Sequence, residues 1–282
     1  MLQELYADAG KVDTLFLGSS HCYRSVDPAQ VDAALGTYSF NAGSSQQLPD
    51  GSYYMLREAA AQNTLHTVYL EMFYTGYNQS ASKDVPLACY LLTDHMRWTS
   101  PNRYAYQAEM GGLAAFADLL LPARHGVASP GSLPALWRAK LTNGYAPGNT
   151  AYLTYADEGE SYRGRGFVYT SGTPQNAFHT LLDVDPDAPL SDFGWEYLRK
   201  TVDFCQQNGI RLVLFTSPLP SAYLYNTANY QAYVDALRDF AAENNTVYWD
   251  FSLYKDIDAL NLLVEDFSDA HHLNGQGAGK FT

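Results

Sequence analysis

Short unbroken apolar runs alternate, over much of the chain, with longer stretches in which apolar positions recur every three or four residues. Thr14–Leu17 is a run of the buried-strand type and leads into Gly18. Asp27-Pro28 places an N-cap before a proline at the first helical position, predicting a helix to about Leu35. Tyr38–Ala42 reads as a second strand, closed by Gly43-Ser44-Ser45. Asp50 is expected to cap a helix reaching about Gln62, and Thr67–Met72 forms a third strand. From about Tyr74 to Leu190 this rhythm is lost. Seven prolines from Pro86 to Pro174 interrupt the segment, and helices are predicted only over Val85–Met96 and Ala105–Leu121. Tyr162–Tyr169 looks like a turn and strand. The alternation then resumes, with a helix at Asp192–Asn208 ended by Gly209 and a strand at Ile210–Phe215. A helix at Asn229–Glu243, a strand at Val247–Phe251 and a short helix at Tyr254–Val264 follow.

Strands alternating with helices at this spacing indicate parallel βαβ units. Three strands before the interruption and two after it predict a flavodoxin-like three-layer α/β/α sandwich. Its five-stranded parallel sheet would carry a mainly helical insertion. The expected organisation is one α/β domain over residues 1–282, with 74–190 inserted as a cap covering part of the functional site. The chain opens almost directly onto the first strand and stops in a young helix, as a sequence trimmed at both ends would.

Composition narrows the function classes. The 282 residues carry 17 basic and 30 acidic side chains, a formal net charge of −13. That balance argues against nucleic acid or an anionic membrane surface as partner, since both require a basic face. A hydrophobic fraction of 46% supports a buried core. Cys22, Cys89 and Cys205 are far apart and show no Cys/His spacing of a zinc or disulfide framework, so no metal or cofactor is expected. No apolar stretch approaches a membrane span, and no signal peptide begins at Met1. The 23 tyrosines suit sugar contacts, although tyrosines more often simply fill half-exposed surface.

Gly18-Ser19-Ser20 closes the first strand, and the C-terminal edge of an open α/β sheet is where ligands bind. A serine hydroxyl is a weak nucleophile until an imidazole accepts its proton and a carboxylate fixes that imidazole's tautomer. Asp269-Ala270-His271-His272 supplies both groups three positions apart, on a loop that the sheet would bring over the first strand's end. The spacing from Asp269 favours His272 as base, whereas His271 would need Ser268. The competing role for Ser20 is an N-cap of the following helix. Asp266 is assigned a surface role.

These two motifs resemble those of the SGNH (GDSL-type) hydrolases. The cell-surface branch is the closer likeness, with its alginate O-acetyltransferases and teichoic-acid D-alanylation protein. The resemblance covers roughly residues 12–73 and 192–282. It implies Ser20 as nucleophile, His272 as base and Asp269 as its orienter. It also implies an oxyanion hole from the backbone N–H groups of Ser20 and Gly43. The family's Gly-x-Asn-Asp block is missing after the third strand, where Glu71-Met72-Phe73-Tyr74-Thr75-Gly76-Tyr77-Asn78 stands instead. Asn78 lies too far from the strand end to take over that role, and Tyr74 offers a hydroxyl nearer to it. His21, Arg24 and Tyr74 are the candidate substrate contacts, with packing as the competing role for the first two. The activity implied is that of an esterase or O-acyltransferase on O-acyl esters of a carbohydrate or cell-envelope polymer. The implied location is extracytoplasmic, with a membrane anchor preceding Met1. The alternative is a non-catalytic carbohydrate-binding or scaffold protein. A nucleotide binder is disfavoured, because no phosphate-cradling glycine loop occurs.

Overall fold

The computed structural model describes residues 1–78, 86–120, 134, 159–173, 183–253 and 260–282. Strands β1 (Thr14–Leu17), β2 (Ser39–Asn41), β3 (Thr67–Glu71), β6 (Arg211–Thr216) and β7 (Val247–Asp250) form one parallel sheet in the order β2-β1-β3-β6-β7. This is the flavodoxin-like order. The chain steps from β1 outward to β2 and then crosses to β3 on the other side. The C-terminal ends of β1 and β3 therefore flank the switch point at which α/β folds open a crevice.

Side chains alternate across the sheet and divide the core into two. Leu15, Leu17, Val68, Leu70, Leu212 and Leu214 face one side, where α4 (Pro49–Ala60), α8 (Asp192–Gln207) and α10 (Tyr230–Glu243) cover them. Phe16 and Phe215 face the other side. There they meet Cys22 of α2 (Ser20–Ser25), Val31 of α3 (Pro28–Leu35) and Phe281 of α11 (Gly275–Phe281). Sheets buried on both faces read as continuous apolar runs, which is why these strands were visible in the sequence. Each fully buried leucine contributes about 1.5–3 kcal/mol.

Several expectations are corrected locally. A helix, α1 (Leu2–Ala7), precedes the first strand and buries Leu2 and Leu5, a pair too short to register as a periodic pattern. Asp50 is not a cap. Leu48 holds the N-cap position and Pro49 starts α4, while the Asp50 carboxylate accepts the Gly51 N–H at 2.8 Å. At α3 the cap is as expected, with Asp27 accepting the Ala29 N–H at 2.9 Å and Gly36 ending the helix in the left-handed region.

Within 74–190, the short helix α5 (Tyr74–Tyr77) is followed by α6 (Pro86–Thr93) and α7 (Pro101–Leu120). The last two pack against α4, with the Tyr54 and Tyr106 rings stacked at 4.6 Å. They thicken one helical layer, and residues 121–133, 135–158 and 174–182 of the expected cap lie outside the described residues. The described part of the segment that does reach the site is an antiparallel hairpin, β4 (Glu160–Gly164) and β5 (Phe167–Thr170). Its turn fits tightly on β2: Asn41 donates its N–H to the Arg165 carbonyl at 2.9 Å. Gly166, at φ +89°, lies so close that a Cβ there would fall 1.6 Å from the Asn41 carbonyl oxygen. α9 (Ser221–Tyr225) follows β6. Of the short helix expected at Tyr254–Val264, residues 254–259 lie outside the described residues, and Val264–Asp266 forms a 3-10 turn. Asp266 is buried, not on the surface. Its carboxylate pairs with Lys280 Nζ at 2.7 Å and accepts the Leu263 N–H at 2.7 Å. Among the described residues, no helix is long and apolar enough to cross a membrane.

Candidate active site

The two adjacent serines after β1 divide the work. Ser19 is the N-cap of α2 and accepts the His21 N–H. Ser20, the first residue of the helix proper, is thereby free to turn its hydroxyl outward, and Ser20 Oγ lies 2.7 Å from His272 Nε2. The turn is tight because Gly18, at φ +150°, lies directly against β3. A Cβ at Gly18 would sit 2.6 Å from Glu71 Cβ and 3.0 Å from Cys22 Cβ, neither of which can swing aside. Gly18→Ala is therefore expected to cost about 2–5 kcal/mol of folding stability, combining overpacking and backbone strain. A denaturant midpoint equal to that of the unsubstituted chain would contradict this account of the turn.

The loop carrying the other two groups is held at several points. Phe267 bridges to Leu273, and Ser268 donates its N–H to the His272 carbonyl at 2.8 Å. Inside the turn, Asp269 Oδ1 accepts the backbone N–H groups of His271 and His272, both at 2.9 Å. Asp269 Oδ2 lies 2.8 Å from His272 Nδ1. Oδ1, which also lies 3.1 Å from His272 Nδ1, thus shapes the loop, while Oδ2 makes the shorter contact that orients the imidazole. Burial alone would raise the Asp269 pKa. The His272 hydrogen bond and charge, with the two backbone N–H groups, outweigh it and hold the carboxyl well below its usual range.

Asn274, which no motif spacing marks as a site residue, anchors this loop. Its Oδ1 caps α11 by accepting the Gln276 and Gly277 N–H groups at 3.0 Å. Its Nδ2 donates to the carbonyls of Gly172, just past the hairpin, and Phe267, at 3.1 and 3.3 Å. Only the Leu-Asn before a glycine-opened helix could have pointed to it.

The remaining candidates take other positions. Arg24 ion-pairs with Glu160 of the hairpin, and its Nη1 stands 3.5 Å from Asp269 Oδ2. Its guanidinium is thus placed between the carboxylates of Glu160 and Asp269. His21 is buried, with its ring stacked on Phe73 at 3.5 Å and on His272 at 4.5 Å. Burial, then the neighbouring histidines and Arg24, push its pKa well below the ordinary value. Tyr74 is only 1% exposed and packs among Phe73, Tyr223, Tyr230 and Tyr233, so its expected role as a site hydroxyl is withdrawn.

The oxyanion donors need a similar correction. The Ser20 N–H is the first of α2 and has no acceptor within the helix. Gly43 stands beside the turn, where a Cβ would approach the carbonyl oxygens of Gly18 and Ser19 to 3.1 Å. Its N–H, however, is donated to Asn41 Oδ1 at 3.1 Å. The sequence expected that N–H to be open, whereas here it already has an acceptor. Asn41 was missed because its role depends on the fold: buried under α2, its Nδ2 donates to the carbonyls of Cys22 and Val26.

One further grouping could not be seen from spacing. One ring nitrogen from each of His21, His271 and His272 lies within 4.8 Å of the other two. His21 Nε2 and His271 Nδ1 are 3.0 Å apart.

Fold and site together define a flavodoxin-like α/β sandwich with a Ser-His-Asp chain of hydrogen bonds at its switch point. A protein-family model matches residues 184–282, which contain β6, β7 and the Asp269–His272 loop. Among curated proteins, no match is found. Among solved structures, the chain is similar to a protein of Bacteroides fragilis described as a putative acylhydrolase. The match has a TM-score of 0.43 at 11% identity and covers 99% of this chain and 88% of the other. A likeness this distant carries no weight in assigning the site.

Proposed function

We propose that the chain is a serine esterase or O-acyltransferase of the SGNH type, working through an acyl-enzyme on Ser20. The observation that carries this reading is the continuous series Ser20 Oγ to His272 Nε2 at 2.7 Å and His272 Nδ1 to Asp269 Oδ2 at 2.8 Å. Ser20 Oγ attacks the ester carbonyl carbon while His272 Nε2 takes its proton. The carbonyl π electrons move to oxygen, and the Ser20 N–H stabilises the oxyanion. Collapse of the intermediate breaks the ester C–O bond, and His272 returns the proton to the departing alcohol. Water or an acceptor hydroxyl then attacks the acyl-Ser20 ester with the same proton transfers, which regenerates Ser20. Hydrolysis and transfer differ only in that last nucleophile. Asp269 stays ionised throughout and stabilises the imidazolium.

An O-acylated carbohydrate or cell-envelope polymer is the proposed substrate class, with an extracytoplasmic site of action. Both extend the motif resemblance, and the acidic, tyrosine-rich composition is compatible with them. A non-catalytic carbohydrate-binding role is the second reading. What favours it is the Gly43 N–H already donated to Asn41 Oδ1, leaving Ser20 as the one open backbone donor among those expected.

A fluorophosphonate probe separates the two readings. Stoichiometric labelling that maps to the peptide containing Ser20, and disappears in Ser20→Ala, is the expected result. A folded chain that resists labelling would overturn the catalytic reading and leave the binding one.

A further inference from the structure

His21 is buried on α2, and His271 and His272 are half-buried on the loop that folds over it. We propose that these three histidines bind one divalent ion of the zinc class, and that the bound ion silences Ser20 by taking the His272 Nε2 lone pair. A tetrahedral ion with Zn–N bonds of about 2.0–2.1 Å sets its ligand nitrogens about 3.3 Å apart. His21 Nε2 and His271 Nδ1, hydrogen-bonded to each other at 3.0 Å, already stand near that separation, and the ion would take the place of the proton they share. A His272 ring nitrogen within 4.8 Å of both supplies the third ligand, and the rings would have to turn to bring it to bonding distance of the same ion.

The outer contacts also fit a metal site. A ligating histidine usually has its second ring nitrogen held by another group, which aims the first. Asp269 holds His272 Nδ1 at 2.8 Å, and Ser19 Oγ lies 3.3 Å from His21 Nδ1, so both rings present Nε2 inward. Three imidazoles with a carboxylate one step behind suit a borderline cation such as zinc. Magnesium and calcium would require a cage of oxygens instead. Ser20 Oγ, 2.7 Å from His272 Nε2, borders the position left for a fourth ligand. An imidazole whose Nε2 is coordinated cannot accept the Ser20 proton. This second half of the proposal rests on the acyl-enzyme reading, whereas the binding itself does not.

The test uses the chelator-treated chain, titrated with Zn2+ alone by calorimetry and with Co2+ alone by visible absorption. One ion per chain and the intense d–d bands of tetrahedral cobalt are expected. His271→Asn and His272→Asn should each weaken binding by about 100-fold or more, the loss of a ligand costing at least as much as the loss of an outer partner. His66→Asn, on the far edge of the sheet, should leave it unchanged. Saturating Zn2+ should slow fluorophosphonate labelling of Ser20 at least about 100-fold, the lower end of the range that base assistance supplies. In His271→Asn the same Zn2+ concentration should leave that variant's own metal-free labelling rate unaltered. If either variant fails to keep the far-ultraviolet spectrum of the parent chain, the other decides. No saturable binding, an octahedral cobalt spectrum, or equal affinity in a folded variant overturns the site. Labelling without ion binding refutes this proposal alone. Ion binding to a chain whose Ser20 never labels refutes the acyl-enzyme reading and the silencing while keeping the site.

Discussion

Asp269→Asn lowers the turnover of an ester substrate about ten-thousandfold on the proposed mechanism, while the loop keeps its two backbone hydrogen bonds. The separation of effects follows from the two carboxylate oxygens. Oδ1 takes the backbone N–H groups of His271 and His272, and an asparagine Oδ1 accepts both equally well. Oδ2 faces His272 Nδ1 at 2.8 Å, and asparagine puts an NH2 group there. A donor opposite Nδ1 forces the lone pair onto that nitrogen and the proton onto Nε2. His272 then points N–H, not a lone pair, at Ser20 Oγ. Ser20→Ala removes the nucleophile outright and costs about a millionfold, the scale seen when a serine of such a triad is deleted. Initial rates on a chromogenic acyl ester, with thermal melts alongside, check both. If Asp269→Asn keeps turnover within about tenfold of the parent, Asp269 is not the orienting group and the base assignment moves away from His272.

The sequence carried the sheet and the Ser20–His272–Asp269 set, and each was legible for a physical reason. Parallel strands buried on both faces appear as short continuous apolar runs, and helix boundaries such as Asp27-Pro28 and Gly209 are written in local backbone chemistry. Ser20 and the Asp269–His272 loop were legible because each motif is complete within a few residues. What was not legible depended on contacts between distant segments. Arg24 reads as a first-turn cation, and only the hairpin's Glu160, 136 residues later, turns it toward the Asp269 carboxylate. Gly43 reads as an open donor until Asn41 folds beneath α2 and supplies an acceptor. Tyr74 looks available because it follows a strand, yet four aromatic rings, three from two helices and one from the preceding residue, enclose it. The histidine trio joins residues 250 positions apart, beyond the reach of any spacing rule.

Glu71 shows the same limit and yields the second large effect. At the end of β3 it was merely a residue near the site. In the fold its side chain is wholly buried against Gly18, directly beneath the turn that presents Ser20. Burial, only partly offset by the backbone N–H groups of Ser217 and Phe73, pushes its pKa up from 4.5 to about 8. Between those two values the folded chain holds a proton that the unfolded chain releases. The stabilisation from that proton is fully present below about pH 4.5, declines as pH rises through the window, and is gone above about pH 8. At about 1.36 kcal/mol per pH unit, the whole span amounts to about 4–5 kcal/mol for a group so fully removed from solvent. Glu71→Gln cannot ionise, and its carbonyl oxygen remains an acceptor for one of the two N–H groups. The stability of Glu71→Gln relative to the parent chain should therefore rise by roughly 4 kcal/mol between pH 4.5 and pH 9. Taking this as a difference between the two chains cancels the remaining titrating groups, including Asp269. Its depressed pKa contributes in the opposite sense, with stability lost only as pH falls through the acid range. Denaturant unfolding of both proteins across that window measures the effect. A difference that stays flat with pH would mean that Glu71 is ionised in the folded state, placing a buried negative charge beneath the nucleophile. Such a charge would oppose the oxyanion that Ser20 must generate. The neutral carboxyl avoids that conflict, which ties the pH dependence of folding to the chemistry proposed for the site.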